Sequence, residues 1–154
     1  MAAAHLDQTY HYILSTLVAR GQAPHFTEIA AKFGIPAEEG RRRLRELMAE
    51  RLPNWLFPDT DLIASFAPFN NLPTQYRISV DGEQKWFAQC GLESLAMTWL
   101  FPGKRVTVSA PCLDCGEPIR VEIVDGEIKR AEPGDIHFYV ELPIKKWFAN
   151  LPFA

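Results

Sequence analysis

The hydrophobic residues of this chain change their spacing once, and this change constrains the fold more than any other feature. Up to about residue 50 they recur at helical intervals, whereas beyond residue 76 they alternate along short segments, as in half-buried strands. The intervening segment 66–75 is rich in proline and asparagine and has no period, which is typical of a linker. The sequence therefore predicts an α+β fold, with a helical module over 1–65 and a small mixed β-sheet domain with one main helix over 76–154.

The first module has the pattern of a winged helix. Apolar spacing predicts helices over 5–20, 26–34 and 37–50, with Thr27 as the N-cap of the second helix. The second and third helices are separated by a tight turn that contains glycine, and 55–63 follows as a candidate wing. We therefore expect a winged-helix-like N-terminal domain.

The second module alternates strands with turn signals, and its Asp-Gly pairs predict tight hairpins. One helix is predicted over 91–100, with Leu92, Leu95, Ala96 and Trp99 on its apolar face. Strands are predicted over 76–80, 84–88, 105–109, 119–124 and 135–142, the last with Ile136, Phe138 and Val140 on one face.

Composition narrows the function classes. The net charge of −3 gives no overall field that would attract nucleic acid. No apolar run approaches the roughly 20 residues of a membrane-spanning helix, and no signal pattern is visible at the N-terminus. Three cysteines are an odd number, which suits reduced thiols better than a disulfide framework. We therefore expect a cytoplasmic protein without a membrane partner.

One basic cluster, Arg41-Arg42-Arg43 with Arg45, lies on the third predicted helix. Such a cluster could contact phosphates, as the recognition helix of a winged helix does, or could form a solvated helix face. Glutamates interleave with these arginines and weaken any positive patch. We therefore do not expect DNA binding.

Cys90 and Glu93 are the first candidate site. They are three residues apart at the start of a predicted helix, so that the thiol and the carboxyl can meet one substrate together. Free backbone N–H groups at a helix N-terminus lower the pKa of a thiol, which makes it a nucleophile and a soft-metal ligand. The alternative is a small buried residue without chemistry.

Cys112 and Cys115 form the second candidate site, a CxxC sequence on a turn between two predicted strands. This pattern is half of a zinc knuckle, and Cys90 with a histidine such as His137 would have to complete four ligands. A redox pair and an inert loop are the alternatives.

Four segments resemble the organomercurial (alkylmercury) lyase family. Tyr76–Gly82 resembles its entry strand, Trp86–Glu93 its catalytic Cys-x-x-Asp segment, and Val108–Cys112 its Ser-Pro-Cys strand. Trp147–Asn150 resembles the segment that carries the second catalytic cysteine of the family, and the N-terminal helices resemble its winged-helix-like domain.

The resemblance implies that two thiolates bind the mercury of an organomercurial while a neighbouring acid protonates the carbon. Carried over, Cys90 is the first thiolate and Glu93 stands in place of the usual Asp. Ala149 occupies the position of the second cysteine, Cys112 matches a structural cysteine, and Cys115 is additional. The chain therefore resembles a divergent member that lacks the second catalytic cysteine, with lyase activity weakened, altered or lost.

We predict an organomercurial-lyase-like protein that requires no cofactor and takes mercury as substrate or ligand. Its partner is a small organomercurial or a soft metal ion, bound by Cys90, Cys112 and Cys115, with Cys90 and Glu93 as catalytic residues. Two alternatives stay open: a winged-helix regulator that senses a soft metal or a thiol oxidant, and an inactive relative with structural zinc.

Overall fold

The structure is a computed structural model, and it describes residues 2–50, 53–138, 143 and 146. The chain divides into two compact units, one up to Phe66 and one over Ala67–Pro143. Among the helices of these described residues, none has the length and apolar character that a membrane span needs.

The first unit contains three helices, α1 (Ala2–Arg20), α2 (Phe26–Phe33) and α3 (Ala37–Ala49). They are followed by strands β1 (Asn54–Leu56) and β2 (Ile63–Phe66), which pair antiparallel. Fully buried aliphatic side chains from all three helices form the core, namely Ile13, Leu17, Ile29 and Leu44. Three helices and then an antiparallel hairpin is the order that a winged-helix-like module needs, and that module stays a prediction.

The N-cap of α2 is His25, and the prediction of Thr27 was wrong by two residues. The His25 ring nitrogen Nδ1 accepts from the Thr27 N–H at 3.4 Å, and the Glu28 carboxylate accepts from the His25 N–H at 2.8 Å. This reciprocal pair satisfies two backbone donors, so an imidazole here replaces the usual hydroxyl of a capping box.

Glycine at position 40 allows α2 and α3 to approach closely. A Cβ atom there would lie 2.6 Å from the Phe26 carbonyl oxygen and 2.8 Å from the Ala30 Cβ. Since backbone cannot yield as a flexible side chain does, any larger residue would force the two helices apart.

The second unit is a sheet with one helical segment. Its strands are β3 (Phe69–Asn70), β4 (Arg77–Val80), β5 (Glu83–Ala88), β6 (Arg105–Pro111), β7 (Pro118–Val124) and β8 (Glu127–Glu132), in the order β3-β5-β4-β6-β7-β8. Helix α4 (Gly91–Ala96) and a 3₁₀ helix (Met97–Leu100) lie between β5 and β6. Asp81 and Asp125 both adopt positive φ and precede glycine, as the predicted tight hairpins require.

The α+β class is confirmed, but several details differ from the prediction. Every described strand pair of the sheet is antiparallel rather than mixed, because neighbouring strands are joined mainly by hairpins. Strand β8 was missed because it is a mostly exposed edge strand and needs no apolar alternation. The predicted strand over 135–142 is wrong over its described part, since 135–138 has no regular structure. Val140 lies outside the described residues, and the predicted linker contains β3.

The predicted apolar face of the helix over 91–100 was also wrong. Leu92 and Trp99 are 60% and 74% exposed, whereas Met97 and Thr98 are buried. The α-helix ends at Ala96 and tightens into a 3₁₀ helix, which turns each following residue further around the axis. This change of spacing accounts for the exposure of Trp99, whereas Leu92 lies before it and is exposed on the α-helix itself.

Candidate active site

The chain that leads into Cys90 is held by hydrogen bonds on both sides. Ala88 ends β5, its N–H donates to the Tyr76 carbonyl at 3.0 Å, and its own carbonyl accepts from the Thr74 hydroxyl at 2.8 Å. The Gln89 N–H then donates to the Pro68 carbonyl at 3.0 Å. Cys90 therefore begins its turn from a fixed position.

Cys90 is the N-cap of α4, and its sulfur takes the place of the usual oxygen acceptor. Its backbone is extended, with φ −148° and ψ 175°, and its Sγ accepts from the Glu93 N–H at 3.4 Å. The Cys90 carbonyl accepts from the Ser94 N–H at 3.0 Å, and the Ser94 hydroxyl donates to the Gly91 carbonyl at 2.6 Å. The thiol is thus fixed at the first turn of the helix, as predicted.

The carboxyl of Glu93 is half-buried beside this thiol. Burial raises the pKa of Glu93 from its usual value to about 7, and the hydrogen bond from Cys90 opposes that shift only in part. The Oε2 atom of Glu93 is buried and has no hydrogen-bond partner among the residues that the structure describes. Near neutral pH this carboxyl therefore holds a proton about half of the time, as a general acid must.

Burial also raises the pKa of the Cys90 thiol, contrary to the predicted lowering. The backbone N–H groups of Glu93 and Leu92 act in the predicted direction, but desolvation outweighs them, and the negative charge of Glu93 adds to it. A helix of six residues offers a small macrodipole, so its help to the thiolate is limited. Cys90 therefore rests as a thiol until a ligand replaces its proton.

Two aromatic rings lie over the backbone next to Cys90, and the sequence reasoning missed both. A Cβ atom on Gly91 would lie 3.0 Å from Cζ of Phe138 and 3.3 Å from Cε1 of Tyr76. Glycine directly after the cysteine was the available signal, because such a residue often permits a close approach. These rings form an apolar wall at the first turn of α4.

Cys112 and Cys115 lie on the turn between β6 and β7. Cys112 is partly exposed and Cys115 is exposed. The pKa of the Cys112 thiol is lowered by the backbone N–H groups of Cys115 and Asp114 and by the side chain of Cys115. Both cysteines therefore belong to one short turn.

The two cysteine sites lie at the same edge of the sheet. Arg77 of β4 pairs with Phe87 of β5 on one side and with Ser109 of β6 on the other, and both neighbours then run toward a cysteine. Strands are about 4.8 Å apart, so the two exits are separated by roughly 10 Å. Accordingly, no group of three or more His, Cys, Asp or Glu that could hold a metal occurs in the described parts of the chain.

The histidine proposed to complete a zinc site, His137, is exposed in the irregular segment after β8. The position of the expected second cysteine, Ala149, lies outside the described residues. Whether the cysteines bind metal stays a prediction.

The four arginines of α3 each pair with an acidic residue. Arg41 and Arg45 lie 3.3 Å and 2.5 Å from the carboxylate of Asp61, and Arg42 and Arg43 lie 2.8 Å and 3.1 Å from that of Glu39. These contacts fit a solvated helix face with neutralised charge. That the protein does not bind DNA stays a prediction. The alternative of a regulator, which would require DNA binding, also stays open.

Comparison with known proteins identifies the family of this chain. A model of the MerB family, alkylmercury lyase, matches residues 69–151, which is more than half of the chain. The chain belongs to the alkylmercury lyase family. The predicted resemblance is therefore confirmed, and the matched segment includes both cysteine sites.

The relatives share sequence and fold over most of this chain. Alkylmercury lyases of Bacillus cereus and Clostridium butyricum are each 28% identical to it over 120 residues, which make up 78% of this chain and 51% of each relative. The crystal structure of the mercury-bound form of MerB2 is similar in fold, with a TM-score of 0.60 and 21% identity over 85% of this chain and 68% of that one. The chain thus spans about half the length of the curated relatives it matches.

Proposed function

We propose that this protein binds organomercurial compounds through the Cys90 thiolate and cleaves the carbon–mercury bond with a proton from Glu93. The observation that carries the proposal is the direct contact between the two groups, combined with a Glu93 pKa of about 7. A thiol alone would bind mercury without cleaving it, and a carboxylate that is always ionised would have no proton to give.

The first step exchanges the thiol proton for mercury. Cys90–SH and R–Hg–X give Cys90–S–Hg–R, the anion X⁻ and a proton, and the neighbouring Glu93 carboxylate is placed to accept that proton. Because the pKa of the thiol is raised, this exchange depends on the strong preference of sulfur for a soft metal.

The second step moves the proton to carbon. The Glu93 carboxyl protonates the carbon bound to mercury, the electron pair of the carbon–mercury bond stays with carbon, and R–H leaves. The products are Cys90–S–Hg⁺ and a Glu93 carboxylate, whose new negative charge faces the cationic mercury and offsets the cost of its burial. The rings of Tyr76 and Phe138 bound the site on an apolar side, which suits the hydrocarbon group of the substrate.

The test measures hydrocarbon release from phenylmercury by the reduced protein, using benzene as the readout. Wild-type protein should release benzene in a single turnover, and Cys90→Ser should fall to the uncatalysed background although Cys112 and Cys115 remain. Glu83→Gln, an exposed substitution on β5, serves as the control and should match the wild type. Equal benzene release from Cys90→Ser and wild type would overturn the proposal.

A further inference from the structure

A second pair of thiols lies apart from the proposed catalytic pair, on the turn between β6 and β7. The Cys112 N–H donates to the Glu117 carbonyl at 2.7 Å, and the Gly116 N–H donates to the Cys112 carbonyl at 2.9 Å. Gly116 adopts φ +78°, a conformation that residues with a side chain rarely adopt. These bonds close a short, defined turn that presents both cysteines from one hairpin.

The spacing of the two cysteines places their side chains close together on this turn. The hydrogen bond from the Gly116 N–H to the Cys112 carbonyl closes a single helix-like turn of backbone, and Cys112 and Cys115 are three residues apart within it, so they lie on the same side. Cys112 is partly exposed and Cys115 is exposed, so that an ion from solvent can reach both thiols. The turn therefore presents two accessible thiols to one ion.

We propose that Cys112 and Cys115 form a soft-metal site that chelates one thiophilic cation, of the class of Hg(II), through two thiolates independently of Cys90. The step balances as one M²⁺ and two thiols giving M(SR)₂ and two protons. Zinc prefers four ligands, and the described residues offer no third His, Cys, Asp or Glu to such a group. A soft ion that is satisfied by two sulfurs fits this pair better.

The ligand environment also ranks the two cysteine sites. Two accessible thiols from one turn can chelate an ion, whereas Cys90 contributes a single part-buried thiol beside Glu93. Inorganic mercury should therefore fill the turn first. This inference rests on the turn alone and does not require carbon–mercury cleavage at Cys90.

The experiment adds Hg(II) to reduced Cys90→Ser protein in the presence of excess 2-mercaptoethanol, which competes away ions held by a single thiolate. After gel filtration, bound mercury and the sulfur-to-mercury charge-transfer absorbance are measured. We expect about one equivalent per chain, an elution volume that mercury does not change, and release of the displaced protons. Adding Cys115→Ser to this background should abolish retention of mercury.

Folding is controlled by comparing the unfolding midpoints of these variants without metal, which should agree because the turn is exposed. Equal mercury retention with and without Cys115 would overturn the proposal. So would half an equivalent per chain carried by a dimer, since mercury would then bridge two copies. Because Cys90 is absent throughout, failure of this inference is distinguishable from failure of the proposed catalytic function.

Discussion

Cys90 and Cys112 have the same side chain and similar backbone hydrogen bonds, yet their pKa values shift in opposite directions. Each sulfur accepts from two backbone N–H groups, those of Glu93 and Leu92 for Cys90 and those of Cys115 and Asp114 for Cys112. Cys90 is half-buried against a carboxyl, whereas Cys112 lies at an open turn beside another thiol. Burial and the neighbouring side chain thus decide the outcome when the backbone donors are alike.

The difference suits two kinds of chemistry. A thiol that keeps its proton beside an acid of pKa about 7 can exchange that proton for mercury and have one available for carbon. A partly exposed thiol with a lowered pKa and a second thiol on the same turn are suited to capture an ion and retain it. Four measurements test this contrast.

The largest expected effect is that of Glu93→Gln on hydrocarbon release. The amide keeps the shape of the side chain but cannot donate an acidic proton, so single-turnover benzene release should fall by about 10² to 10⁴. Binding of phenylmercury to Cys90, followed by mass spectrometry of the intact adduct, should persist. Loss of adduct formation together with release would show that Glu93 serves binding and not proton transfer.

The next effect concerns the pH dependence of stability. The pKa of Glu93 is raised from 4.5 to about 7, so between these values the folded protein binds more protons than the unfolded chain. The free energy of unfolding therefore falls as pH rises through this window and stays lower above it. After discounting for partial solvent exposure, the loss is on the order of 2 kcal/mol.

Urea unfolding at about pH 5 and about pH 8 measures this loss, with Glu93→Gln as the matched variant. The variant lacks the titrating group. From about pH 5 to about pH 8 its free energy of unfolding should therefore rise relative to that of the wild type by on the order of 2 kcal/mol. An identical pH dependence of both proteins would contradict the raised pKa.

A third test compares the reactivity of the two thiols directly. At about pH 8, iodoacetamide should modify Cys112 at least about tenfold faster than Cys90, because both thiolate fraction and access favour the exposed turn. Peptide mass spectrometry of partially labelled protein reports both rates in one sample. Faster labelling of Cys90 would reverse the comparison on which this account is built.

The smallest effect is expected from Gly91→Ala. The added Cβ meets ring atoms of Phe138 at 3.0 Å and 3.2 Å, which must move by a few tenths of an ångström. Misplacement costs about a hundredfold per ångström, so benzene release should fall roughly fourfold. The control is Glu83→Gln, an exposed substitution on β5. Gly126→Ala is unsuitable because Gly126 has a positive φ. A variant as fast as wild type would show that the rings do not help to position the substrate.

Local sequence signals predicted much of the fold. The first three helices, the two Asp-Gly hairpins and the placement of Cys90 at a helix start follow from spacing and turn chemistry within a few residues. The contact between Cys90 and Glu93 was predictable for the same reason. Strand β8 escaped because an exposed edge strand has no apolar period to detect.

The electrostatics of the site could not be predicted in this way. Desolvation of Cys90 and Glu93 depends on how deeply the fold buries them, which the local sequence does not show. The helix-terminus argument considered backbone donors alone and so predicted the wrong direction for the pKa of Cys90. The apolar spacing likewise did not indicate the 3₁₀ helix after Ala96, in which Trp99 is exposed.

The most direct test of the central claim is the pH dependence of benzene release from protein already loaded with phenylmercury at Cys90. The thiol proton of Cys90 has already left when phenylmercury is loaded, so it no longer affects the rate. The single-turnover rate should therefore follow the protonated fraction of Glu93. We expect a constant rate below an inflection near pH 7 and a fall of about tenfold per pH unit above it. A rate that does not change across this range, or an inflection that persists in Glu93→Gln, would contradict the assignment of Glu93 as the proton donor.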